Sequence, residues 1–275
     1  MILAIDIGNT SIHLGLFERG RLRRRFNLST AQVRPSATGP GIFARLDRRQ
    51  KADLSRVREA IICSVVPWAT PRVVRALRAA GVPRVRVVGR DIRVPLKNRY
   101  RYPRQVGEDR LVGAYAAWRE FGKERGGTGA RGHDCIVCDF GTAITIDIVT
   151  KRGEYLGGVI APGLDISLEA LATRTALLPK VELKEPPELL GRDTANSIRS
   201  GLLYGCVALC DGLVSRLKRQ YASNAVVVAT GGSSPLIAKH ARTIDHLKPN
   251  LVLDGLYELT FEPAKMTTEL IRPKS

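Results

Sequence analysis

The sequence holds 275 residues, 44% hydrophobic and 25% charged, which suits a chain with a packed core and excludes intrinsic disorder and collagen-like structure. That length fits two domains of about 130 residues or one large one. No uninterrupted apolar run approaches the roughly 18 residues of a membrane span, and Asp6 cuts the apolar start Met1–Ile5 before a secretory core could form; a cytoplasmic chain with no membrane partner is expected. The 44 Lys and Arg outweigh the 26 Asp and Glu by 18, and the excess is lopsided: 28 against 11 in residues 1–137, net +17, and 16 against 15 in the rest, net +1. Arginine outnumbers lysine 33 to 11, with runs at Arg21-Leu-Arg-Arg-Arg25 and Asp47-Arg-Arg-Gln-Lys51. Such a field attracts nucleic acid or a smaller polyanion such as a nucleotide. Aromatic residues are only 5%, however, and no RNA-binding signature accompanies the basic runs, so a solvated, Arg-rich surface with at most non-specific nucleic-acid binding is expected.

In chain order, Ile2–Ile7, Ile12–Phe17 and the stretch after Arg19-Gly20 read as three strands joined by tight turns. Ala60–Val66 is a further strand, broken at Pro67, and a helix from about Pro71 to Ala80 ends at Gly81. Val85–Val88 is a strand, and Glu108–Phe121 carries Leu111, Val112, Tyr115, Trp118 and Phe121 near helical spacing. Gly122–Gly132 holds five glycines in eleven residues and reads as the linker between domains 1–121 and 133–275. Beyond it, Ile166–Leu177 and Thr194–Tyr221 read as helices, Ala225–Ala229 as a buried strand, and Gly231-Gly232 as the turn into another helix. Five cysteines with no export signal imply reduced thiols. Cys135 and Cys138 lie three apart in a strand and point to opposite faces, which is poor metal-ligand geometry; Cys206 and Cys210 share a helix face and read as buried small hydrophobes.

One internal repeat stands out. An offset of 133 places Ile2-Leu-Ala-Ile-Asp-Ile-Gly-Asn-Thr10 over Cys135-Ile-Val-Cys-Asp-Phe-Gly-Thr-Ala143, and the register runs on without a gap to Arg19-Gly20 and Arg152-Gly153. Two halves that each open with the same strand-turn-strand-turn-strand meander are expected. A turn with Gly lets backbone N–H groups approach an anionic oxygen, neighbouring Thr10, Ser11 or Thr142 hydroxyls add donors, and the Asp can hold a cation that offsets phosphate charge. Two such turns, followed by Thr230-Gly-Gly-Ser233 after a buried strand, resemble the acetate and sugar kinase, Hsp70 and actin superfamily. That resemblance implies an α/β fold of two ribonuclease H-like domains, each a three-stranded meander plus α/β units, with ATP in the interdomain cleft.

Asp6-Ile-Gly-Asn-Thr10, Tyr100-Arg-Tyr-Pro103 ahead of Gly107-Glu-Asp-Arg110, Asp139-Phe-Gly-Thr-Ala143, Ala161-Pro-Gly163, Leu178-Pro179, Gly191-Arg-Asp-Thr194 and Thr230-Gly-Gly232 occur in one order that resembles type III pantothenate kinase over nearly the whole chain. The resemblance implies ATP-dependent phosphorylation of pantothenate by a homodimer, the first step of coenzyme A biosynthesis. It assigns ATP to Asp6, Ile7, Gly8, Asn9, Thr10, Ser11, Ile12 and His13, with Thr142, Gly231 and Gly232, and the proton-accepting role to Asp109. Pantothenate falls to Tyr100, Gly107, Glu108, Asp109, Arg110 and Thr194. A monovalent cation, K+ or NH4+, falls to Asp139, and Mg2+ accompanies ATP at Asp6, directly or through water. Glu108 replaces a residue that is usually small in the family and sets a second carboxylate beside Asp109; Ser233-Ser234 stands where an acidic residue is usual. Two alternatives share the resemblance: a Bvg accessory factor-like transcriptional regulator, and a superfamily kinase acting on another alcohol.

Overall fold

The computed structural model describes residues 1–33, 54–123 and 132–262. Grouped by packing, the chain forms two units: Met1–Pro95, Gly107–Val112 and Val252–Ser275 make one, Leu96–Val106 and Gly113–Leu251 the other. The Gly-rich stretch read as a linker lies largely outside the described residues, which resume at 132.

In the first unit, β1 (Ile2–Ile7), β2 (Ser11–Glu18) and β3 (Arg21–Ser29) form an antiparallel meander, and β4 (Glu59–Ser64) and β5 (Arg84–Val87) extend the sheet in parallel, giving the order β3-β2-β1-β4-β5. The central β1 is an unbroken apolar run until Asp6, as a strand covered on both faces must be. Leu3, Ile5 and Ile7 pack with Ile12, Leu14 and Leu16 of β2 and, from α1 (Thr70–Ala79), Val73, Val74 and Leu77. Each Leu or Ile so buried contributes about 1.5–3 kcal/mol relative to exposure. The turn between β2 and β3 has positive φ at both Arg19 (49°) and Gly20 (81°), the twist that a two-residue hairpin favours. Arg21, Arg23, Arg24 and Arg25 are exposed on β3, the sheet edge, where charge blocks pairing with a stray strand.

The second unit repeats the plan. β7 (Cys135–Phe140), β8 (Ala143–Val149) and β9 (Glu154–Pro162) form the meander, β10 (Val226–Thr230) and β11 (His246–Leu247) add in parallel, and the short β6 (Lys97–Asn98) pairs with β9. The order β11-β10-β7-β8-β9-β6 is that of the first sheet with one strand added, so both units have the ribonuclease H-like arrangement. The alignment is not gapless: Ile7 pairs with Ile12 across the first turn but Phe140 with Ile144 across the second, so the second turn is one residue shorter.

The helices also differ in detail from expectation. α2 is α-helical over Glu108–Ala117, after which Trp118–Gly122 widens into a π turn. The wider turn lets the Trp118 indole N–H donate to the Lys151 carbonyl (3.0 Å) and Phe121 stack on His246 (centroids 4.5 Å). α3 spans Leu164–Arg174 rather than reaching Leu177; the Thr175 hydroxyl donates to the Leu171 carbonyl (2.7 Å) and ends it, leaving Leu177 exposed. α4 (Thr194–Tyr221) starts at an Asp193 cap whose carboxylate accepts the Asn196 N–H (2.8 Å). By length and composition α4 could cross a membrane, contrary to the sequence expectation, but its Leu203, Cys206, Cys210 and Val214 pack into the core of the second unit. After α5 (Ser234–Ala238) and β11, α6 (Leu251–Leu259) packs in the first unit: Tyr257 stacks on Phe17 (4.6 Å) and Leu253 covers Gly15. All five cysteines are buried free thiols, and no group of three or more metal-binding side chains occurs among the described residues.

Candidate active site

In the first unit, Asp6 is the one charged residue of β1 and sits at its C-terminal end, level with His13 of β2 and Cys63 of β4. The buried Cys63 thiol is pushed well up by burial, then by the carboxylates of Asp6, Asp109 and Glu108, which gather around it. The turn from Gly8 to Ser11 is closed by the Gly8 N–H donating to the Ser11 carbonyl (2.9 Å). His13 is half-buried, and its Nδ1 pairs with Asn27 Oδ1 (2.8 Å); burial lowers its pKa, with Arg25 adding to the effect against the Asn27 bond.

Asp109 opens α2 together with Glu108, and both are half-buried. Asp109 Oδ1 accepts the Arg110 N–H (2.8 Å). A Cβ at Gly107 would overlap that carboxylate, and one at Gly89 (φ +83°) would overlap the Glu108 carboxyl. Gly89, with its positive φ, favours glycine on backbone grounds, and at both places a side chain would displace the acid pair from these positions. Burial, then the neighbouring Asp109 charge, raises the Glu108 pKa, while Arg93 opposes the rise.

In the second unit, Asp139 ends β7 as Asp6 ends β1, level with Thr230 of β10. Gly231 (φ +93°) passes so close to the Asp139 carboxylate and the Phe140 backbone that no side chain fits. The Ser233 backbone N–H donates to the Phe140 carbonyl (3.1 Å) and ties the turn to β7, while the buried Ser234 hydroxyl donates to the Gly231 carbonyl (2.7 Å) within the turn. Thr142 is exposed at the tip of its turn, whose backbone abuts Gly163. Tyr100 lies across Gly157 (φ +122°) and packs against Tyr155 (6.5 Å), whose hydroxyl donates to the buried Asp147 (2.7 Å). Thr194 is the first residue of α4, next to the Asp193 cap.

A family model described as type III pantothenate kinase matches residues 2–216. The chain belongs to the type III pantothenate kinases. A type III pantothenate kinase of Geotalea uraniireducens is 39% identical over 258 residues, covering 93% of this chain and 96% of the relative. Among solved structures, a Sinorhizobium meliloti protein assigned as a 2-dehydro-3-deoxygalactonokinase shares the fold with a TM-score of 0.54 at 16% identity, covering 94% of this chain and 98% of that one. A conserved Campylobacter jejuni protein assigned to the Baf family of transcriptional activators does so with a TM-score of 0.51, also at 16% identity, covering 94% and 95%.

Membership of the type III pantothenate kinases implies ATP with a divalent metal. The donor set fits a hard cation: Asp6 and Asp139 are half-buried carboxylates at strand ends beside glycine turns. An ion that keeps waters and shares phosphate oxygens needs only one or two such carboxylates, so the absence of a three-ligand cluster among the described residues is no obstacle. The sequence-expected residues thus divide between the units: Asp6–His13 and Gly107–Arg110 lie in the first, and in the second Gly231 lies against Asp139, while Tyr100 and Thr194 stand on other elements. The Gly89 notch and the Tyr155–Asp147 pair beneath Tyr100 had no sequence signal, because each depends on contacts between distant segments.

Proposed function

We propose that this pantothenate kinase homologue transfers the γ-phosphoryl group of ATP to the hydroxyl of pantothenate, giving 4'-phosphopantothenate and ADP in the first step of coenzyme A biosynthesis. The observation that carries the reading is Asp109: a half-buried carboxylate at a helix start, fixed by the Arg110 N–H and seated against Gly107. The helix N-terminus favours its ionised form. Phosphoryl transfer passes through a loose transition state, so positioning, charge neutralisation and one proton acceptor suffice. As the pantothenate oxygen bonds to phosphorus and the β–γ bridge bond breaks, the hydroxyl proton passes to Asp109 and ADP leaves.

In this reading Asp6 to His13, Thr142, Gly231 and Gly232 bind ATP; Tyr100, Gly107 to Arg110 and Thr194 bind pantothenate. Arg110 offers a planar fork for the substrate carboxylate. Asp6 holds Mg2+, directly or through water, and Asp139 a monovalent cation, K+ or NH4+; bound there, the cations offset phosphate charge. Burial and the neighbouring Asp109 charge hold the Glu108 pKa above its ordinary range, with Arg93 opposing the rise. We also propose a homodimer, which the exposed Ile160 and Ile166 of β9 and α3 would favour and sedimentation would test.

The test is ATP consumption with pantothenate against a panel of sugars and hydroxy acids. Turnover with pantothenate at least tenfold above any other alcohol supports the reading, and preference for another alcohol contradicts it.

A further inference from the structure

We infer that Thr30 is a positioning residue that sets the shape of the first phosphate turn. Thr30 follows β3 and is 1% exposed, yet it carries a hydroxyl. Its side chain and main chain both reach the turn: Oγ1 donates to the Gly8 carbonyl (2.7 Å) and the backbone N–H donates to the Thr10 carbonyl (2.9 Å). The Ser11 carbonyl accepts the Gly8 N–H (2.9 Å) and closes the turn, so Thr30 draws two of its carbonyls, those of Gly8 and Thr10, toward the protein.

The consequence follows from covalent geometry. In a planar trans peptide the C=O and N–H point in opposite directions, and no cis peptide occurs among the described residues. Drawing the Gly8 carbonyl onto Thr30 therefore turns the Asn9 N–H away from Thr30, and drawing in the Thr10 carbonyl does the same to the Ser11 N–H. A row of backbone N–H groups turned outward at a glycine turn is what an anionic oxygen requires. Thr30 acts through Gly8 and Thr10 rather than by touching the nucleotide. Valine has the shape of threonine without the donor, so Thr30→Val would leave the half-buried Gly8 carbonyl beside a methyl group and release its half of the clamp. Serine keeps the donor.

This inference rests on the reading that residues 6–13 hold the ATP phosphates. The experiment measures KM for ATP and for pantothenate, kcat and thermal stability in Thr30→Val, Thr30→Ser, Val33→Ala and Gly8→Ala. Val33 is buried in the same short segment without a hydrogen bond to the turn, so its variant reports general loosening. The expected result is an ATP KM raised about tenfold in Thr30→Val, or about 1.4 kcal/mol, with pantothenate KM within about twofold. Thr30→Ser should recover ATP KM to within about threefold of the parent, and Val33→Ala should lower thermal stability but leave ATP KM unchanged. Equal ATP KM in Thr30→Val and the parent, or equal increases in Thr30→Val and Val33→Ala, would overturn the role of Thr30. An unchanged ATP KM in Gly8→Ala as well would instead overturn the phosphate reading of the turn itself. Should Thr30→Val fail to fold, Thr30→Ser and Thr30→Ala decide: a raised ATP KM in alanine only supports the clamp, and equal values in both overturn it.

Discussion

Replacing Asp109 by asparagine isolates the proton-accepting role with little else disturbed. The present Oδ1 accepts the Arg110 N–H at 2.8 Å, and an amide oxygen can accept the same bond, so the start of α2 should survive. The side chain keeps its volume and its seat beside Gly107. What is lost is the charge and the basic oxygen. General-base catalysis contributes about 10²–10⁴-fold, so kcat should fall by that factor, equivalent to roughly 3–5.5 kcal/mol in barrier height. Steady-state kinetics, nucleotide titration and a thermal melt on the same preparation would separate the effects: ATP affinity within about twofold, a melting temperature within a few degrees, and turnover nearly abolished. Retention of more than about a tenth of the parent rate, a barrier change under about 1.4 kcal/mol, would refute the assignment.

Glu108→Gln should act on stability with a defined pH dependence. The folded state holds the Glu108 pKa above its ordinary range, so ionising it opposes folding; the cost is absent below the unfolded value and grows as pH rises past it. The variant should therefore melt higher than the parent at about pH 7.5, with the gain vanishing near pH 4, and a gain that is equal at both pH values would contradict the burial argument. Gly231→Ala combines a positive φ with overlap on Asp139 and Phe140 and should cost about 2–4 kcal/mol in a denaturant melt. Gly232→Ala, where an added Cβ meets nothing within 4 Å, should stay within about 0.5 kcal/mol of the parent. Exchanging K+ for Na+ at constant ionic strength should lower activity, and equal rates would remove the monovalent site at Asp139. Changing Arg23, Arg24 and Arg25 together to Gln should leave turnover with pantothenate near the parent value while weakening any salt-sensitive DNA binding; loss of turnover would show that this edge strand serves the reaction.

The sheet plan was legible because each meander carries its own punctuation: an apolar run stopped by Asp, a glycine turn, and an Arg-Gly turn whose glycine has positive φ in both copies. The strand order 3-2-1-4-5, with its two parallel additions, and its recurrence in the second sheet came from the structure, because pairing between segments far apart in the chain leaves no mark in either segment alone. The one-residue difference between the two turns was hidden, since Ile12 and Ile144 both continue an alternating apolar pattern that tolerates either register. The sheet on which α6 packs was equally hidden. Its apolar face would suit either unit, and only Phe17 and Gly15, more than two hundred residues earlier, give it a seat. The place of Ser233-Ser234 was hidden as well: the Ser233 backbone N–H reaches the Phe140 carbonyl, and the Ser234 hydroxyl closes on the Gly231 carbonyl within the turn. Thr30 carried no motif at all, because its importance lies in reaching two carbonyls twenty or more residues away.

The central claim is phosphoryl transfer from ATP to the pantothenate hydroxyl with Asp109 as proton acceptor. Mass-spectrometric identification of the product, from the protein incubated with ATP, Mg2+, K+ and pantothenate, tests it most directly. The account predicts one phosphate added to pantothenate for each ADP formed, with both products formed about 10²–10⁴-fold more slowly by Asp109→Asn. ADP formed without phosphopantothenate, or phosphopantothenate formed by Asp109→Asn at more than about a tenth of the parent rate, would contradict it.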